Sequence, residues 1–241
     1  MISNPLAAMA SAQGKPSLPS PMNPIFCLYN IFIAITVGNY HCMKTIGFFG
    51  DSFCASNQPE SWCNILQKKL GCSRPRWFGE PGRSIWSVFF RYNQLIKEDR
   101  VPDISVFCWT EPYRLYHPKY VLSANTEPME GVDANMYKAL EQYWIHLHNY
   151  DKDEMAYEYS LKYYDHNILS EVNSEIIQMW SFRPFETADK DAGIKLTTGT
   201  FIDESMFAFS GGKDNWGKGS INHMTVEQNQ QWAQKVYDRI R

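Results

Sequence analysis

The stretch Ile46-Gly47-Phe48-Phe49-Gly50-Asp51-Ser52-Phe53 decides how this chain is read. A short apolar run is closed at once by Gly50-Asp51-Ser52, the pattern of a buried strand that ends in a turn. Downstream, residues 61–70 carry Trp62, Ile65, Leu66 and Leu70 ahead of Gly71, which predicts a short helix with a glycine stop. Residues 76–78 predict a second strand, followed by the turn Gly79-Glu80-Pro81-Gly82. Ser84 stands at the cap of a helix in which Ile85, Val88, Phe89, Tyr92, Leu95 and Ile96 recur at helical spacing.

Residues 104–109 predict another buried strand. From Asp133 a long helical region follows, with Met136, Leu140, Tyr143, Trp144 and Leu147 on one face. A Tyr-rich, charged helix is expected over residues 155–172, and strands over 176–181 and 201–207. Thr225 opens the last helix, with Gln228 as its capping-box partner and Val226, Trp232, Ala233, Val236 and Ile240 as its buried stripe. Strands alternating with helices imply an α/β fold around a mostly parallel sheet. In such sheets ligands gather at the carboxyl ends of the strands, where Gly50-Asp51-Ser52, Gly82, Trp109-Thr110-Glu111 and the loop before the last helix fall.

The region upstream of Met43 differs in character. Residues 3–24 are rich in Ser, Pro, Ala and Asn without apolar period, which predicts disorder. The apolar run 25–38, about 14 residues, is shorter than the roughly 20 that span a bilayer. Lys15 is the only basic residue ahead of it, and Asn39-Tyr40-His41-Cys42 makes a poor cleavage site for a secretory leader. Residues 1–42 are therefore expected to be a disordered or non-structural extension, and residues 43–241 one folded domain. No membrane association and a cytoplasmic location are the matching expectations.

Composition narrows the function classes. A net charge of −3 offers neither a nucleic-acid groove nor a basic membrane patch. Cys27, Cys42, Cys54, Cys63, Cys72 and Cys108 contain no CxxC pair, so they predict free thiols in a reducing compartment rather than a zinc site. Cys54 reads as a packed thiol rather than a nucleophile, and His117, His146, His148 and His166 are too scattered for a metal site. No metal and no cofactor is expected, and no P-loop, dinucleotide fingerprint or EF-hand loop is present.

A serine just past a strand end projects its hydroxyl into a cleft, and its own N–H faces a developing oxyanion. The same tripeptide also occurs in ordinary turns that cap a helix. Taken with a glycine and a late histidine further along the chain, the arrangement resembles the SGNH/GDSL hydrolase family. The block from Ile46 to Ser52 is similar to the family's first motif, Gly82 in Glu80-Pro81-Gly82-Arg83-Ser84 to its oxyanion-hole glycine, and His223 in Asn222-His223-Met224-Thr225 to its histidine block. The resemblance implies a flavodoxin-like three-layer α/β/α sandwich with a mostly parallel five-stranded sheet. It also implies a serine ester hydrolase with Ser52 as nucleophile, His223 as general base, and the N–H groups of Ser52 and Gly82 as oxyanion donors. Its substrate would be an acylated or acetylated small molecule or glycan.

Two departures stand out. Glu111 occupies the family's asparagine position in the third block, which leaves Thr110 as an alternative donor and Arg114 as the expected partner of Glu111. Ser220 occupies the position of the family's aspartate, three residues before His223, and Asp214 is the candidate substitute acid. Asp51, Arg83, Trp109 and Arg114, at the same sheet edge, are the expected substrate contacts. These departures keep open a non-enzymatic module that binds a glycan or protein. A phosphate-binding domain using the helix start after Gly82 is a third reading.

Overall fold

The apolar run after Thr45 forms β1 (Ile46–Gly50), buried along its whole length. The computed structural model describes residues 43–73, 79–120, 122, 133–182, 194–212 and 221–241; the expected extension 1–42 and the expected strand at 76–78 lie outside them. Three more apolar runs form β2 (Ile104–Trp109), β3 (Glu175–Trp180) and β4 (Thr200–Ser205). The described residues thus give a four-stranded sheet in the order β1-β2-β3-β4, every pair parallel. Parallel strands place all their carboxyl ends on one edge, so the residues after Gly50, Trp109, Trp180 and Ser205 share a rim.

Six helices stand among the described residues: α1 (Trp62–Lys69), α2 (Ile85–Lys97), α3 (Ala134–His146), α4 (Tyr150–Asn167), the short α5 (Met206–Phe209) and α6 (Val226–Arg239). One face of the sheet carries Phe48, Val106, Cys108 and Met179 against Trp62, Leu66, Trp232 and Val236 of α1 and α6. The other carries Phe49, Phe107, Trp109 and Ile176 against α2 and α4. Helices therefore pack on both faces of a parallel sheet, an α/β architecture. Each buried large apolar side chain contributes about 1.5–3 kcal/mol, so these two cores hold the layers together. None of the described helices is long and apolar enough to cross a membrane.

Local chemistry accounts for the boundaries and for several differences from expectation. Asn149 Oδ1 accepts from Lys152 N (2.8 Å) and starts α4 five residues before the expected position. The expected strand over 201–207 stops at Ser205, whose hydroxyl accepts from Ala208 N and caps α5. Ser84 occupies its cap position, but its hydroxyl makes no capping bond. On α3 only Leu140 is buried, and Leu147 is exposed, so that helix is not the amphipathic core element its spacing suggests. On α6 the capping box of Thr225 and Gln228 forms as expected, yet Val226 is exposed. It lies six residues before Trp232, about 120° around the helix at 3.6 residues per turn.

The first motif is packed tightly from the side. Ser73 N donates to Lys44 O (2.8 Å) and Glu80 N to Gly50 O (3.1 Å), so the chain on either side of 74–78 meets β1 at its start and at its end. Gly79 lies against the turn after β1: a Cβ there would stand 2.5 Å from Asp51 O and 2.5 Å from Cys54 Sγ. Gly79→Ala is expected to lower stability by about 1–3 kcal/mol, the usual cost of overpacking, with a reduced urea midpoint as the readout. An unchanged midpoint would show that the turn moves aside freely.

Candidate active site

Beyond Gly50 the chain turns into one 3-10 turn, Ser52–Cys54, and Asp51 caps it by accepting from Phe53 N (3.0 Å). Ser52 is half-buried at the sheet rim, while Phe53 and Cys54 point into the core. Its hydroxyl Oγ lies 2.7 Å from Nε2 of His223, a partner 171 residues away in sequence. The two side chains that sequence reading paired thus meet within hydrogen-bond distance. His223 also packs against the ring of Phe53, with centroids 5.0 Å apart.

A tight turn presents this histidine. Ile221 and Met224 exchange both backbone hydrogen bonds (2.9 and 3.0 Å), and the two residues between them, Asn222 and His223, have φ of +52° and +60°. Two consecutive positive φ values between a hydrogen-bonded pair match a type I′ turn, in which asparagine is favoured. Burial is the leading influence on the His223 imidazole and lowers its pKa below the ordinary value of 6.5; nearby Asp51 opposes this and Arg114 adds to it. A neutral ring with Nε2 at a hydroxyl is the form required of a general base.

Behind the pair lies a buried ion network. The fully buried Asp51 carboxylate accepts from Ser181 Oγ (2.8 Å), from Phe53 N and from Arg114 Nη1 (3.3 Å). Arg114 Nε donates to Glu111 Oε1 (2.9 Å) and Nη1 to Arg83 O (3.4 Å), while the guanidinium lies 5.1 Å from the Phe182 ring centroid. One cation therefore ties the ends of β1 and β2 to the turn before α2. The expected Arg114–Glu111 pair is present. Glu111, accepting from that cation, is an acceptor here and does not serve as an oxyanion donor.

The other expected site residues divide. Glu80-Pro81-Gly82-Arg83 forms a turn with Gly82 at φ +70° and Arg83 N donating to Glu80 O (3.3 Å). Proline followed by a positive-φ residue is the type II arrangement, which glycine adopts without strain. Arg83 is held by Glu80 (2.8 Å) and by His117 O (3.1 Å), and with Phe49, Gly50, Arg91 and Tyr116 it lines a cavity of about 350 Å³ beside the turn. Trp109 is not a substrate contact: it is fully buried, stacks on Phe107 and donates to Gln178 Oε1 (3.0 Å). Asp51 likewise is sealed from solvent and organises the site from below. The Thr110 hydroxyl is buried and has no hydrogen-bond partner among the described residues, and its carbonyl accepts from Tyr157 (2.6 Å). Asp214 and Ser220 lie outside the described residues.

Cys54, Cys63, Cys72 and Cys108 are free and buried, and burial raises the thiol pKa of Cys63, Cys72 and Cys108. Such thiols are poor nucleophiles. Sequence reading missed Ser181, Trp62, Asn222 and Asn229, which support the two site loops. Only Asn222 carried a usable signal, since asparagine tolerates positive φ beside a functional histidine. Comparison with protein-family models, curated proteins and solved structures gave no match.

Proposed function

We propose that this chain is a serine-dependent ester hydrolase of the SGNH type, its sheet completed by a fifth strand into a three-layer sandwich. The observation that carries the reading is the 2.7 Å approach of Ser52 Oγ to His223 Nε2 at the carboxyl rim of a parallel sheet. Ser52 Oγ attacks the ester carbonyl as His223 takes its proton, and the alcohol leaves with a proton returned by the imidazole. Water, deprotonated by His223, then releases the acid from the acyl-enzyme. The N–H groups of Ser52 and Gly82 serve as oxyanion donors, each supplying on the order of 3 kcal/mol in the transition state. Asp214 is the candidate to orient the imidazole, with Ser220 in the place of the family's acid. The substrate is an acylated or acetylated small molecule or glycan.

A second reading, a binding module without turnover, draws on Glu111: a carboxylate paired with Arg114 takes the place of a neutral donor. A fluorophosphonate probe separates the two. Covalent labelling of the wild-type protein at Ser52, absent in Ser52→Ala, together with hydrolysis of p-nitrophenyl acyl esters of graded length, is the expected result. A folded wild-type protein that takes up no probe and cleaves none of the esters favours the binding module.

A further inference from the structure

Ser52 and His223 reach each other from opposite ends of the domain's sequence, on loops that each need a fixed seat. The described residues contain a continuous buried path between those seats. Phe53 O, one residue past the nucleophile, accepts from Trp62 Nε1 (2.7 Å). Trp62 N, at the start of α1, donates to Asn229 Oδ1 (2.9 Å). The two N–H groups of Asn229 Nδ2 in turn are shared among Ile221 O (2.9 Å) and Met224 O (3.2 Å), the carbonyls that bracket Asn222-His223, and Thr225 O (3.0 Å), the cap of the helix that follows. Trp62 and Asn229 are both fully buried. A shorter tie runs beside it, from Ser56 N to Asn222 Oδ1 (2.9 Å).

Resting on the hydrolase reading, we propose that Asn229 is a positioning residue which, with Asn222, fixes the left-handed turn of His223 in register with the Ser52 loop. The chemistry of the amide suits this role. Its oxygen takes up the otherwise free N–H at the first residue of α1, and its NH₂ group gathers carbonyls that the turn directs inward. A helix-packing residue alone would need no polar group, and the polar atoms of a fully buried amide are ordinarily hydrogen-bonded. The same amide therefore selects the turn conformation and its distance from Ser52.

Asn229→Asp tests the claim, since it keeps the acceptor and the shape but removes the NH₂ donors. Asn222→Gly is the second variant: glycine adopts positive φ without strain, so the fold persists while the tie to Ser56 is lost. Val236→Ala, buried on the same helix but outside the path, controls for plain loss of stability. The expected result is that Asn229→Asp and Asn222→Gly slow fluorophosphonate labelling of Ser52 about 10- to 100-fold at a temperature where each is folded. Val236→Ala labels at the wild-type rate.

NMR titration of His223, assigned with His223→Ala, reads the ring without requiring turnover. Its pKa is expected to rise towards the ordinary imidazole value in both asparagine variants as the ring leaves its buried seat. Asp51 and Arg114, the charged groups that act on it, are unchanged in both; the carboxylate introduced by Asn229→Asp can itself raise the imidazole pKa, so the neutral Asn222→Gly is the variant whose titration decides. Wild-type rates with an unmoved titration overturn the proposal, as does slowing that Val236→Ala reproduces. If the wild-type protein takes no label at all, the hydrolase reading fails instead, and the titration alone decides whether Asn229 positions the ring.

Discussion

Replacing His223 by alanine is expected to lower ester turnover by about 10⁴- to 10⁶-fold at pH 7, with little change in KM, because removing a base that acts as a unit with its nucleophile removes most of the chemistry. The Ser52 hydroxyl, 2.7 Å from Nε2, would be left with no group to take its proton. In the intact protein the rate should rise with pH as the imidazole loses its proton. Burial lowers that pKa, so the half-maximal point is expected below 6.5. The direction is fixed: only the neutral ring accepts a proton, so activity is lost on acidification. Initial rates from pH 4 to 9 check it, and a half-maximal point above 6.5 would mean that the Asp51 carboxylate outweighs burial at the ring.

Arg114→Ala is expected to cost about 3 kcal/mol of stability, the lower end for breaking a buried ion pair, out of a typical total of 5–15 kcal/mol. The loss falls on Asp51, fully buried beside a nearly buried guanidinium, and not on Glu111, which is partly exposed and recovers water. Ser181 and Phe53 N still serve Asp51, which keeps the cost from being larger. Urea unfolding measures it. The discriminating step is the double variant Asp51→Asn with Arg114→Ala, which should regain part of the loss because no buried charge is left unpaired. Equal midpoints for wild type and Arg114→Ala would place the worth of the network elsewhere.

The strands and most helices were legible from apolar runs and caps, because burial on both faces leaves the β1, β2 and β3 sequences almost wholly apolar. Ser52 and His223 were legible because each adjoins a recognisable boundary: Ser52 follows a strand end, and His223 precedes a capping box. Trp109 misled: a large aromatic at a strand's carboxyl end reads as a ligand contact, yet strand alternation turns its side chain under α2 and α4. Asn229 gave no signal, since a polar residue inside an amphipathic helix is ordinarily a solvated one, and only the fold supplies the carbonyls that it gathers. The partner of Arg114 was half visible: Glu111, three residues away, was expected, whereas Asp51 lies 63 residues away and reaches it through the sheet.

The sequence separation of the reactive pair has a consequence for synthesis. A ribosome adding about 5–20 residues per second delivers the imidazole roughly 10–30 s after the hydroxyl emerges. Through that interval the nascent chain carries the Ser52 hydroxyl without the imidazole that it meets in the folded domain, and α6 is not yet available to close the core over α1. On the hydrolase reading, translation products that stop short of the last helix are expected to be inert, and competence to arrive only with a finished domain.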